Sequence, residues 1–171
     1  RAQLQALKAA RPGSYADMLK NAKDASLLHS GRLPAMALVC AIEGDAALGK
    51  EAVQLVQKYI LGPIRVGHET FGHDLALCAW VYDHCYEHWT AAERQAFIAY
   101  MNKTVEANVK SEVHCFANGY YGYKNWGIGL ACYATMHENP NAAGYLQTLL
   151  DDYKARACPV LDLAGAGGGW A

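Results

Sequence analysis

The sequence has little net charge and nowhere to concentrate it. Its 15 Lys and Arg stand against 16 Asp and Glu, and no basic run occurs. A nucleic-acid binder needs clustered cations to displace counterions, so nucleic acid is not an expected partner. Long apolar runs are missing as well. Those present, such as 75–82, fall far short of the ~20 residues that cross a bilayer, and no membrane partner is expected. None of the six cysteines, at 40, 78, 85, 115, 132 and 158, forms a C-x-x-C pair, which excludes zinc-ribbon spacing. Almost nothing alternates with a period of two, so strands are not expected. No signal peptide is visible, but the chain starts at Arg1 without Met and stops at Gly167-Gly168-Gly169-Trp170-Ala171. Both ends read as cut, which leaves the compartment illegible.

What is there is apolar and helical. Apolar residues make up 53% of the chain, enough for a core, and the length suits one all-helical domain over 1–171. Three segments share one grammar: an apolar run, a short polar turn, a capping residue followed by Ala-Ala, then an amphipathic stretch. The caps are Asp45, Thr90 and Asn141, each able to accept a hydrogen bond from the first helical turn. Thr90 with Glu93 completes a capping box. After the caps, Leu48, Ala52, Leu55 and Tyr59 form one apolar stripe. Phe97, Met101, Val105 and Val109 form a second, and Leu146, Leu149, Tyr153 and Ala157 a third. Lys50, Glu51, Arg94, Gln95, Asp151 and Lys154 are expected to face water.

The runs before the caps, 35–42, 75–82 and 126–134, are apolar nearly all round and read as buried helices. Each unit is then a hairpin of a buried inner and a half-exposed outer helix, recurring every ~45–50 residues. Three to four such hairpins make part of an α/α toroid; an open solenoid is the other arrangement. Ser14 with Asp17 predicts a further helix from 15 to about 28.

The long connections, 62–72, 110–125 and from 157 past 170, are expected to emerge together at the N-terminal ends of the inner helices. They carry the chemistry: His29 and Arg32 before the first, His68, Glu69, His73 and Asp74 before the second. Before the third come Asn118, Tyr120, Tyr121, Tyr123, Lys124 and Asn125, then Trp126, and Trp170 lies in the last loop. Helix N-termini favour anions, and aromatic and amide side chains suit sugars, so an acidic oligosaccharide is the expected partner.

Other chemistries fit less well. The stretch HETFGH places its histidines five apart, about 140° round a helix instead of the ~40° a zincin needs. His84 and His88 are four apart but sit at a helix end, where the dipole favours a cation, so no metal is expected. GAGGGW and GIGLAC both miss G-x-G-x-x-G, and no cofactor is expected. Cys40, Cys78, Cys85 and Cys132 read as small hydrophobes in apolar runs; Cys115 and Cys158 lie in expected loops and could bridge.

Four stretches together resemble the helical domain of heparinase II/III-like polysaccharide lyases: AIEGDAALGKEAVQLV, DLALCAWVYDHCYEHWTAAERQAFIAY, YKNWGIGLACYATMHENP and the terminal GAGGGWA. The resemblance runs from about Met36 onward. It implies β-elimination of a uronic-acid polysaccharide and a secreted or periplasmic setting. In that chemistry an amide or cation neutralises the uronate carboxylate while Tyr or His moves the protons. By position, Asn125 and Trp126 match the family's Asn-Trp, and Lys124 stands where many members have His. The resemblance makes Asn125, Lys124 and Tyr123 the catalytic candidates. His68, Glu69, His73, Tyr120, Tyr121, Trp126 and Trp170 are then the substrate-binding ones. In the family a catalytic tyrosine follows the glycine-rich loop, which here would fall beyond Ala171. The chain is thus expected to belong to a longer protein with further domains. Two other classes remain open: a glycoside hydrolase using Glu69 and Asp74, and a non-catalytic helical-hairpin scaffold.

Overall fold

The computed structural model describes residues 2–60, 62–66, 70–108 and 119–166, apart from the side chains of 59–60, 119–123 and 164–165. Among the described residues every regular element is a helix. In chain order they are α1 (Ala2–Ala10), α2 (Pro12–Lys23), α3 (His29–Glu43), α4 (Ala46–Ile60) and α5 (Thr70–His84). A 3₁₀ turn at Tyr86–His88 leads to α6 (Ala91–Asn108), α7 (Gly119–Thr135) and α8 (Ala142–Asp152). A π turn over Tyr153–Ala157 continues into α9 (Cys158–Ala166). Two compact units form, Arg1–Pro63 with Leu77–Ile98 and Ile64–Ala76 with Ala99–Ala171.

In the first unit α3 is the buried helix, with Leu33, Met36, Ala37 and Val39 in the core. It begins at His29, well before the apolar run, and carries Pro34 inside its second turn. His29 and Arg32 therefore lie in the helix and not ahead of it. Arg32 is buried and structural: its Nη2 donates to Glu51 Oε1 at 2.6 Å and its Nε to the Ala22 carbonyl at 3.2 Å. Glu51, expected in water, is thereby tied to α3. Gly44 ends α3 in the left-handed region at φ 73°, where a side chain would be strained. Asp45 then caps α4, its Oδ1 accepting from the Leu48 amide at 3.0 Å.

Tyr82, Trp89 and Phe97 pack as one aromatic cluster, with ring centroids 5.1–5.9 Å apart. Trp89 Nε1 reaches the Val81 carbonyl at 3.2 Å, which satisfies the one polar atom of a buried ring. The expected capping box closes in both directions: Glu93 N donates to Thr90 Oγ1 at 3.2 Å and Thr90 N to Glu93 Oε2 at 2.7 Å. Helix α2 differs from expectation. It starts at Pro12, whose missing N–H costs nothing in a first turn, has no side-chain cap, and stops at Lys23.

In the second unit α7 and α8 form a hairpin. The expected third cap fails. Asn141 is itself helical and makes no capping bond. The turn is held by Asn139 instead, which is buried. Its Oδ1 accepts from the Asn141 amide at 3.1 Å, and its Nδ2 donates to Asn102 Oδ1 at 2.8 Å. The π turn after α8 shifts the helical register, so Leu149 and Ala157 are buried while Tyr153 points out. Residues 158–166, expected as loop, are helix α9, and Cys158 opens it. Cys115, the other half of the possible bridge, lies outside the described residues.

Candidate functional site

The segment 120–125 is helix, not rim loop. Helix α7 starts at Gly119, so these residues form its first two turns. Their glycine and amide content argues against a helix locally, but the helix carries straight on into a stretch that buries Ile128, Ala131 and Cys132 on one side and leaves Tyr133 exposed on another. Six residues that looked like a flexible loop are thereby fixed in angle and height relative to one another.

One close approach sets the geometry. A Cβ built on Gly127 would lie 1.9 Å from the carbonyl oxygen of Gly72. Helices α5 and α7 therefore touch backbone to backbone, which only glycine allows. The contact brings His73, next to Gly72, beside Trp126, next to Gly127; their rings are 6.2 Å apart at 53°. Trp126 stays 43% exposed.

On the other side of His73, Asp74 is buried and pairs with Arg65, Nη1 to Oδ2 at 3.1 Å. Desolvation pushes the Asp74 carboxyl above its ordinary value, against the opposing pull of Arg65 and His73. Arg65 is held in turn by Asn108, whose Nδ2 donates to the Arg65 carbonyl at 3.0 Å and to that of Thr104 at 2.8 Å. The Arg65 side chain remains half exposed.

Lys124 and Trp126 are two residues apart on a helix, hence about 200° round it and on opposite faces. Trp126 faces α5, whereas Lys124 is fully buried and feels Asp152 and Arg156, the two ends of a hydrogen-bonded pair astride the π turn. Desolvation lowers the Lys124 ammonium from its ordinary value; Asp152 opposes this and Arg156 adds to it. Between the two faces sits Asn125. Its Oδ1 is buried and has no hydrogen-bond partner among the described residues. Such an oxygen is costly to leave unpaired and asks for a donor.

Of the residues singled out from sequence, the structure thus brings together His73 and Trp126 and places Asn125 and Lys124 on the same helix. Tyr120, Tyr121 and Tyr123 have their backbone in α7, with side chains outside the described set. His68, Glu69, Asn118 and Trp170 lie outside the described residues. Sequence reasoning missed Arg65, Asn108, Asp152 and Arg156. Asp152 and Arg156 carried a signal, an acid and a base four apart on a helix, but that pattern is commonest on solvated faces.

The arrangement offers a partly exposed indole, a histidine beside it, a half-exposed guanidinium and a buried amide oxygen with no partner among the described residues. No family model, curated protein or solved structure matches the chain.

Proposed function

We propose that the chain is part of an α/α-toroid polysaccharide lyase of the heparinase II/III-like kind, with α3, α5 and α7 as inner helices. It binds a uronic-acid sugar chain where α5 meets α7. The observation that carries this reading is the exposed Trp126 indole packed against His73, next to the unpaired Asn125 oxygen. A sugar ring stacks on an indole face, and its hydroxyls supply the donor that the amide lacks.

In this reading β-elimination removes the proton beside the uronate carboxylate and expels the glycosidic oxygen. Of His73 and Tyr123, one takes the proton and the other gives one to the departing glycosidic oxygen. Arg65, anchored on Asp74 and reaching solvent, neutralises the carboxylate as negative charge builds up. In this reading the buried Lys124 does not touch the sugar, and its charge is offset inside the second unit by that of Asp152.

The test titrates the protein with oligouronides and with the same oligosaccharides after carboxyl reduction, following binding by isothermal titration calorimetry, which reads the Trp126→Ala variant as well as the wild type. In parallel, the ultraviolet absorbance of the conjugated enoate reports elimination. Expected are binding that favours the acidic form and a loss of about 10-fold or more in Trp126→Ala. Trp126 is surface-exposed, so that variant keeps its melting temperature. Equal affinity for acidic and reduced sugars, or none for either, overturns the reading.

A further inference from the structure

The first unit holds a second cluster of reactive side chains, which the carbohydrate reading leaves idle. Cys40 sits in the last turn of α3, where its carbonyl accepts from the Gly44 amide at 2.8 Å. Cys85 directly follows α5, its amide bonded to the Val81 carbonyl at 3.0 Å. The two are far apart in sequence, and each alone reads as a small hydrophobe. Packing sets them side by side: both line one cleft, and Cys40 is near enough to the Cys85 thiol to help hold its proton.

Gly49 shows how tightly a third group joins them. A Cβ there would lie 2.7 Å from Cys40 Sγ and 2.8 Å from His88 Nε2. Any side chain would force thiol and imidazole apart, so the glycine keeps them adjacent. Cys40, Cys85 and His88 all line a cleft of about 480 Å³, whose lining also includes the exposed Asp83 and Glu87. Both cysteines are nearly fully buried, at 5% and 1% exposed, yet both belong to the lining of a space that a small molecule can enter.

We propose that Cys40 and Cys85 are a dithiol that small-molecule disulfides oxidise through this cleft, giving a Cys40–Cys85 disulfide that joins α3 to the end of α5. Cys40 acts first. Its proton passes to His88, and the thiolate attacks one sulfur of the incoming disulfide. A mixed disulfide forms, and one thiolate leaves and takes up the proton. The Cys85 thiol then attacks the Cys40 sulfur and loses its proton to the second departing thiolate. One disulfide is reduced to two thiols as two protein thiols become one disulfide. The order follows from the environments: burial, reinforced by Cys40, keeps the Cys85 thiol protonated well above its ordinary range, whereas Cys40 has the imidazole beside it.

The experiment incubates the reduced protein with oxidised glutathione, blocks remaining thiols by alkylation, and maps peptides by mass. Expected is a linked Cys40–Cys85 peptide. A bridge closing a loop of roughly 45 residues should also raise the melting temperature by about 5 °C or more. Cys85→Ser should stop at a glutathione adduct on Cys40 without that gain. Cys40→Ser should form neither product, and Cys78→Ser should behave as wild type. Wild-type protein that keeps both thiols alkylatable after exposure to glutathione disulfide, or that links other cysteines instead, overturns the proposal. So does a Cys40→Ser variant that still takes up glutathione at Cys85 as fast as the wild type reacts. The wild-type map decides even where a variant fails to fold.

Discussion

Replacing Gly127 by alanine adds one methyl group at the point where α5 and α7 touch. That carbon would sit 1.9 Å from the Gly72 carbonyl oxygen and 2.5 Å from the Gly72 Cα and carbonyl carbon. Comfortable contact is near 3.5 Å, so the two backbones would have to part by about 1.5 Å. No rotamer change relieves the clash, because its three nearest neighbours are all main chain. The separation would loosen contacts along the crossing and undo the His73–Trp126 packing. We expect a loss of about 3 kcal/mol or more, at the upper end for overpacked sites. Gly129 is the internal control. It lies in the same helix, and nothing would come within 4 Å of its Cβ. Alanine there should stabilise by about 0.5–1 kcal/mol through helix propensity alone. Urea unfolding of both variants, followed by far-ultraviolet circular dichroism, measures the difference. Opposite signs are the expected result. A Gly127→Ala protein as stable as wild type would show that the helices do not touch there, and the pairing of His73 with Trp126 would fall with it.

Caps and burial give two further tests. Thr90→Ala should cost about 1 kcal/mol and Asn139→Ala about 2 kcal/mol, because the latter leaves Asn102 and the Asn141 amide unpaired in a buried turn. Asn141→Ala should stay within about 0.5 kcal/mol, since Asn141 makes no capping bond; chemical denaturation ranks the three, and Asn141 costing most would refute the turn geometry. Lys124 has its folded-state value lowered below the ordinary 10.5, so between the two the unfolded chain binds more protons and stability rises with pH. Lys124→Met should abolish that rise and be at least as stable as wild type at neutral pH; identical melting-temperature profiles from pH 7 to 10.5 would show that the ammonium is not desolvated.

The helical fold was legible because its causes are local. Apolar spacing marked 35–42 and 75–82 as buried, but it overstated 126–134, where Trp126 and Tyr133 stay exposed and only one side of the helix is covered; the caps at Asp45 and Thr90 needed only the first turn of the helix that follows. The sequence also named His73, Lys124, Asn125 and Trp126 as chemistry-bearing, through residue type and the start of an apolar run. What it could not set was the direction of each. A glycine- and tyrosine-rich start reads as loop by propensity, and only the helix continuing into a half-buried run makes it α7. Whether a lysine faces solvent or core depends on which helix lies against it, and Asp152 and Arg156 answer that from about thirty residues away. Arg32 looked like a rim cation until Glu51 and the Ala22 carbonyl claimed it. Gly72 with Gly127, and Cys40 with Cys85, are meetings between distant segments. No local pattern encodes them, because close approach is a property of two surfaces and a sequence shows only one at a time.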